Sequence, residues 1–172
     1  MAAKISKKVC LLGDFAVGKT SLVRRFVYNL FEDKYISTIG VNVRRKTVSI
    51  PRANGITDLT MMLWDLAGSE EFNQMRASYL RGAAGAILVC DLTRYETLDR
   101  VHIYAQDLQS VAPDAQLILA ANKYDLVDRH QVTSVQIETA ATELNAPFYF
   151  TSAKTGDAVE TLFRHLGQLL IT

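Results

Sequence analysis

Long apolar runs are missing from this sequence, and so is any excess of charge of one sign. No stretch approaches the eighteen or so apolar residues that a membrane-spanning helix needs. Lysine and arginine together number 19 against 18 aspartates and glutamates, a formal net charge of +1. That balance gives no electrostatic pull towards nucleic acid or an anionic membrane surface. The two cysteines, Cys10 and Cys90, cannot build a disulfide framework and have no zinc-like spacing. Each lies in an apolar run and reads as a buried free thiol, which suits a reducing cytoplasmic setting. His102, His130 and His165 are scattered, so they read as solvated or capping side chains rather than metal ligands. Low-complexity tracts, linkers and internal repeats are absent. The opening residues, Met1 to Lys8, lack the apolar core of a signal peptide and offer no glycine for myristoylation.

What is there is an ordinary globular composition: 172 residues, 49% hydrophobic and 22% charged, enough for one domain spanning 1–172 with a proper core. Short apolar runs at 8–12, 41–50, 59–65, 86–91, 117–122 and 148–152 read as strands. The runs at 86–90 and 117–121 are apolar throughout, as expected of central parallel strands buried on both faces. Arg44, Arg45 and Lys46 interrupt 41–50 and give it an edge-strand composition. Pro51 and Asn54-Gly55 then mark a hairpin turn. Thr93-Arg94-Tyr95-Glu96 has the capping-box pattern for a helix running towards Ala112-Pro113, and Thr133-Ser134-Val135-Gln136 opens another, to about Leu144. Val159, Leu162, Phe163, Leu166, Leu169 and Leu170 form one helical stripe. The order β-α-β-β-α-β-α-β-α-β-α predicts an α/β, doubly wound domain with helices on both faces of the sheet.

One motif organises the rest: Gly13-Asp14-Phe15-Ala16-Val17-Gly18-Lys19-Thr20, of the form G-x-x-x-x-G-K-[ST], set between a strand and a helix. Its glycines let backbone N–H groups turn inward to cradle phosphate oxygens, and the helix adds the positive end of its dipole. Gly13, Ala16, Val17, Gly18 and Ser21 belong to this cradle. Lys19 reaches the β- and γ-phosphates and the Thr20 hydroxyl can ligate Mg²⁺. Three further motifs follow strands at the same sheet edge. In Asp65-Leu66-Ala67-Gly68, the aspartate can hold Mg²⁺ through water and the Gly68 N–H can meet a γ-phosphate. In Asn122-Lys123-Tyr124-Asp125, the Asp125 carboxylate can accept the ring N–H and exocyclic amine of guanine. Adenine presents an acceptor at that ring position and would leave the carboxylate unpaired. Ser152-Ala153-Lys154 can offer a backbone N–H to the guanine oxygen. Any one of these is also an ordinary turn or solvated loop; four in order at strand ends are not.

With these residues in hand the chain resembles a Ras-superfamily small GTPase, closest to the Rab branch, over about residues 5–171. The stretches that carry the resemblance are Tyr35-Ile36-Ser37-Thr38-Ile39-Gly40-Val41, Trp64-Asp65-Leu66-Ala67-Gly68, Tyr79-Leu80-Arg81-Gly82-Ala83 and Leu88-Val89-Cys90-Asp91-Leu92-Thr93. The resemblance implies a P-loop NTPase fold with a six-stranded, mostly parallel sheet and one antiparallel edge strand, and a GTP/GDP cycle requiring Mg²⁺. It makes Thr38 a third Mg²⁺ ligand beside Thr20 and Asp65, packs Phe31 edge-on against guanine and closes Tyr35 over the phosphates. Segments 31–41 and 68–79 become two switches ordered by the γ-phosphate, with Lys19, Thr38, Gly68 and residue 69 at the catalytic centre. Effector, exchange-factor and GTPase-activating proteins are the implied partners of a monomeric chain, with no nucleic acid among them.

The departures from that family are specific. Ser69 stands where the family usually has the glutamine that orients the attacking water, and Phe15 stands where glycine or serine is usual. Both fall on hydrolysis and neither on nucleotide binding, so a weak intrinsic rate and a mainly GTP-loaded state are expected. Glu70, Glu71 or Asn73 offers another way to position water. Val43 replaces an aromatic of the usual effector surface, leaving Trp64 and Tyr79. The hairpin through residues 51–55 looks longer than is typical. The sequence ends without a cysteine tail, so membrane association is expected only through partners or a missing tail. A non-hydrolysing GTP-binding module, or a Roc-type GTPase-like domain used for assembly, is the alternative. A P-loop kinase is disfavoured by the 122–125 motif and by the lack of an acceptor-binding lid.

Overall fold

The computed structural model describes residues 2–34, 37–38, 40–68 and 73–172. Its strands are β1 (Ala3–Leu12), β2 (Val41–Arg52), β3 (Gly55–Leu66), β4 (Gly85–Asp91), β5 (Gln116–Asn122) and β6 (Phe148–Phe150). Its helices are α1 (Lys19–Tyr28), α2 (Asn73–Leu80), α3 (Tyr95–Val111), α4 (Ser134–Leu144) and α5 (Val159–Leu170). The six strands form one sheet in the order β2-β3-β1-β4-β5-β6. Only the β2–β3 pair is antiparallel among the pairings of the described residues. The expected doubly wound α/β sheet with an antiparallel edge strand is therefore present.

Because successive strand residues point to opposite faces, each central strand feeds two cores at once. Val9, Leu11, Ile87, Val89, Ile118 and Ala120 meet α1 and α5. Cys10, Leu12, Leu88, Cys90, Leu119 and Ala121 belong to a second cluster with residues of α3 and α4. Phe26 of α1 and Phe163 of α5 stack at 4.0 Å with rings nearly parallel. Burying such a ring contributes about 1.5–3 kcal/mol, so this contact fixes how α1, and the loop before it, sits on the sheet.

Several local expectations need correction. β1 begins at Ala3, because the long β3 strand gives residues 3–7 a parallel partner that the basic sequence did not suggest. The hairpin connection is Ala53-Asn54, since Arg52 pairs with Gly55, which opens β3 at φ +130°. Gly55 supplies a conformation that few other residues adopt there. Thr93 is not a cap: its N–H and hydroxyl both donate to Asp91, and Arg94 precedes α3 without a side-chain cap. The Thr133–Gln136 box forms in full. β6 stops at Phe150; just beyond it the Thr151 N–H still donates to the Ala121 carbonyl, the Thr151 hydroxyl donates to Asn122 and the Ser152 hydroxyl to Asp125. On α5, Leu169 is partly exposed while Gly167 is buried; a Cβ at Gly167 would lie 2.7 Å from the end of Ile50. Both cysteines are buried and free. Each histidine has a partner: Glu143 for His102, the Lys123 carbonyl for His130, the Tyr149 hydroxyl for His165.

Candidate functional site

The loop between β1 and α1 lies at the carboxyl edge of the parallel strands, where ligands of doubly wound sheets bind. Two left-handed residues shape it, Ala16 at φ 61° and Gly18 at φ 106°. Gly18 is doubly required, because a Cβ there would sit 2.2 Å from Asn122 Nδ2. Asn122 Nδ2 donates to the Val17 carbonyl and Lys123 Nζ to the Ala16 carbonyl, both at 2.9 Å. The Asn-Lys segment thus braces the phosphate-type loop from outside. Inside it, Lys19 Nζ donates to the carbonyls of Gly13 and Asp14, each at 2.8 Å. An ammonium has three donors, so one is left for the cleft. Burial pushes the Lys19 ammonium down to about 8, against the attraction of Asp65 and Asp14. A buried lysine in that state gains from an anion beside it.

Three oxygen-bearing side chains converge at the start of α1. The Thr20 hydroxyl donates to Asp65 Oδ2 at 2.5 Å and lies 2.6 Å from the Thr38 hydroxyl. Asp65 Oδ1 is buried with no hydrogen-bond partner among the described residues. Burial raises the Asp65 carboxyl above its usual range, while Thr20 and Lys19 act to lower it. A carboxylate with an orphaned oxygen beside two hydroxyls is the donor set of a hard divalent cation. Gly68 approaches from the other side: a Cβ there would lie 2.5 Å from the Phe15 backbone nitrogen.

A cleft of roughly 820 Å³ runs from this centre to the loops after β5 and β6. Ala16, Gly18, Lys19, Thr20, Ser21, Phe31, Thr38, Gly68, Asn122, Lys123, Asp125, Ala153 and Lys154 all line it. Gly13, Val17, Asp65 and Ser152 stand behind its wall, and Val17 and Ser152 are fully buried. Tyr35 and Ser69 lie outside the described residues, as do Glu70 and Glu71. At the far end Ser152 Oγ donates to Asp125 Oδ1 at 2.8 Å, aligning the carboxylate. Phe15 lies at the rim, half exposed.

Sequence reasoning missed the residues that hold these loops. Arg25 donates to the carbonyls of Ala153 and Lys154, at 2.8 and 2.6 Å, and so shapes the 152–154 loop from α1. Nothing in the sequence distinguishes it from a solvated helix arginine. Asp91 is fully buried and takes Lys123 Nζ at 2.7 Å. Burial would raise its carboxyl, but the Lys123 and Thr93 bonds outweigh this and hold it below the usual range. Its signal was legible: an acid ending an apolar strand, as Asp65 does. Asp14, Arg94, Arg100 and Tyr104 form a further set around the loop. Arg94 donates to Asp91 and to the Phe15 carbonyl.

Comparison with known proteins agrees with this geometry. The family model described as Ras family matches residues 8–172. The chain is 41% identical over 164 residues to Ras-related protein SEC4 of Saccharomyces cerevisiae, covering 95% of this chain and 74% of that protein. It is 39% identical over 168 residues to GTP-binding protein ypt5 of Schizosaccharomyces pombe, covering 96% and 78% respectively. The chain therefore belongs to the Ras family, as a Rab-like small GTPase.

Proposed function

We propose that this chain is a Mg²⁺-dependent GTP/GDP switch that hydrolyses GTP slowly and presents its GTP state to effector proteins. One observation carries the reading: Thr20, Thr38 and Asp65 meet at hydrogen-bond distance, with one buried carboxylate oxygen left over. Thr38 comes from the segment before β2, so a cation held here ties that segment to the phosphate loop. When bound, Mg²⁺ neutralises charge on the β- and γ-phosphate oxygens. The rest falls to the chain's own groups. The loop's backbone N–H groups and Lys19 hold the phosphates, Gly68 offers a backbone donor towards the γ-phosphate, and Asp125 reads the guanine edge. Phe31, Ala153 and Lys154 enclose the base, and Tyr35 closes over the phosphates.

Slow turnover follows from two residues. Ser69 carries a hydroxyl too short to hold the attacking water as a glutamine amide does. Phe15 places a ring at the rim of the cleft, where it crowds an incoming guanidinium whose contribution in such enzymes is about 10³–10⁵ in rate. The protein then spends most of its time GTP-loaded. Partners engage the face where Val43 is exposed and the Trp64 and Tyr79 rings sit 6.2 Å apart. The alternative, a non-hydrolysing GTP-binding module or a Roc-type GTPase-like domain used for assembly, draws no support from the relatives, which are Rab-type along nearly the whole chain.

The test is single-turnover hydrolysis of GTP loaded with Mg²⁺, parent against Ser69→Gln and Phe15→Ser. We expect a slow parent and a faster Ser69→Gln. A parent already cleaving at an ordinary small-GTPase rate, or variants no faster than the parent, overturns the account of Ser69 and Phe15.

A further inference from the structure

A line of side chains leaves the phosphate loop through Asp14, which does not line the cleft. Asp14 Oδ1 accepts from Tyr104 Oη at 2.9 Å and from Arg100 Nε at 2.6 Å, both on α3. The Tyr104 ring lies beneath the guanidinium of Arg76 on α2, 4.6 Å from its centroid. Arg76 is buried, and its Nε lies 3.6 Å from Asp107. The backbone carbonyl of the same Asp14 holds Lys19 Nζ. We propose that Tyr104 is a positioning residue that couples helix α2 to the phosphate loop, so that the seat of Arg76 on its ring governs how firmly Asp14 and Lys19 retain bound nucleotide. This rests on the reading of the cleft as a GTP/GDP site.

First, each contact is of a kind that resists loosening. A desolvated cation over an aromatic face is held more firmly than an exposed pair. The charge-assisted Arg100–Asp14 bond is roughly twice as strong as a neutral one. Second, the hydroxyl stays a donor. Burial, reinforced by the Asp14 carboxylate, raises the Tyr104 phenol above its ordinary value. Third, α2 follows the segment that contains Gly68, whose backbone already abuts Asp14 and Phe15. The segment from Gly68 through α2 therefore meets the phosphate loop twice, directly at Gly68 and through Tyr104 from Arg76. A shift of α2 that lifts Arg76 from the ring leaves Tyr104 freer to leave Asp14. Arg76 and Asp107 do not line the cleft; Arg76 also acts on Lys19 directly by charge, and substitution at Tyr104 separates that route from this line.

Simple packing between α2 and α3 is the competing account, and a double-mutant cycle separates the two. The readout is dissociation of a fluorescent GDP analogue from Mg²⁺-loaded protein, with chemical denaturation run beside it. Arg76→Met keeps apolar bulk and removes the cation; Tyr104→Phe removes only the hydroxyl. We expect each to speed release about threefold or more, and the double variant to be no faster than the faster single. Arg76→Lys, which keeps the charge, should stay near the parent rate. If Arg76→Met does not fold, Asp107→Asn at the exposed end of the line takes its place, with the same expectation. A parent-like rate for Arg76→Met, effects that multiply in the double variant, or Arg76→Lys as fast as Arg76→Met overturns the coupling. Absence of saturable GDP binding by the parent overturns instead the nucleotide reading beneath it.

Discussion

Gly68 and Phe15 are in backbone contact: a Cβ added to Gly68 would lie 2.5 Å from the Phe15 nitrogen and 2.6 Å from the Asp14 carbonyl carbon. Neither neighbour is the end of a flexible side chain, so the added methyl must move one main chain away from the other. The phosphate loop is braced by Asn122, Lys123 and Arg94; the Gly68 segment is the part that yields. Gly68→Ala should therefore spare GDP, whose phosphates stop short of that segment, and weaken a non-hydrolysable GTP analogue by roughly tenfold, about 1.4 kcal/mol. Equilibrium titrations with the two nucleotides decide it. Equal losses for both, or none for either, would contradict the placement of the Gly68 N–H at the γ-phosphate.

Asp91 gives a second prediction. Its side chain is fully buried and holds Lys123, Thr93 and Arg94 together. Lys123 in turn supports the Ala16 carbonyl of the phosphate loop. Asp91→Asn keeps the shape, removes the charge and leaves the lysine without its anion. A lost charge-assisted hydrogen bond of this kind costs about 1.5–3 kcal/mol. The variant should lose that much in urea denaturation, and its GDP should dissociate faster, because the bracing of residue 16 goes with it. A destabilised variant with parental GDP release would show that Lys123 supports the fold without supporting the loop.

The sheet, its order of elements and nearly all of the cleft were legible because they depend on local patterns. Apolar runs leading into Gly13, Asp65, Asn122 and Ser152 announce both a parallel sheet and what stands at its edge. What was not legible depends on contacts across long sequence separations. Arg25 reaches Ala153 and Lys154, and Tyr104 reaches Asp14, with no periodicity or motif linking the pairs. Thr93 shows the reverse failure. Its spacing to Glu96 satisfies a local capping rule, but the buried Asp91 carboxylate offers a stronger acceptor two residues back and takes the hydroxyl. A local rule was outbid by a desolvated charge.

The two cysteines make the fold sensitive to alkali. Burial pushes both thiols up to about 12; Lys8 offsets this slightly at Cys10, and Asp91 adds to it at Cys90. The ordinary value is 9.0, so between 9.0 and about 12 the unfolded chain has released protons that the folded one still holds. The native state then binds more protons than the unfolded state, and stability falls as pH rises through that window. Well below 9.0, at neutral pH, the two states carry the same protons at these sites and the contribution is flat. At pH 10 each thiol should cost about 1.4 kcal/mol relative to neutral pH, from one pH unit of linkage. Urea denaturation of the GDP-loaded protein at pH 7.5 and 10 measures it, parent against Cys10→Ala/Cys90→Ala. The double variant is expected to be less stable at neutral pH, because two small cavities open in the sheet, yet to lose about 3 kcal/mol less than the parent on going to pH 10. Parallel losses in the two proteins would mean that the thiols titrate alike in both states, and that the core around Cys10 and Cys90 is open enough to solvate a thiolate.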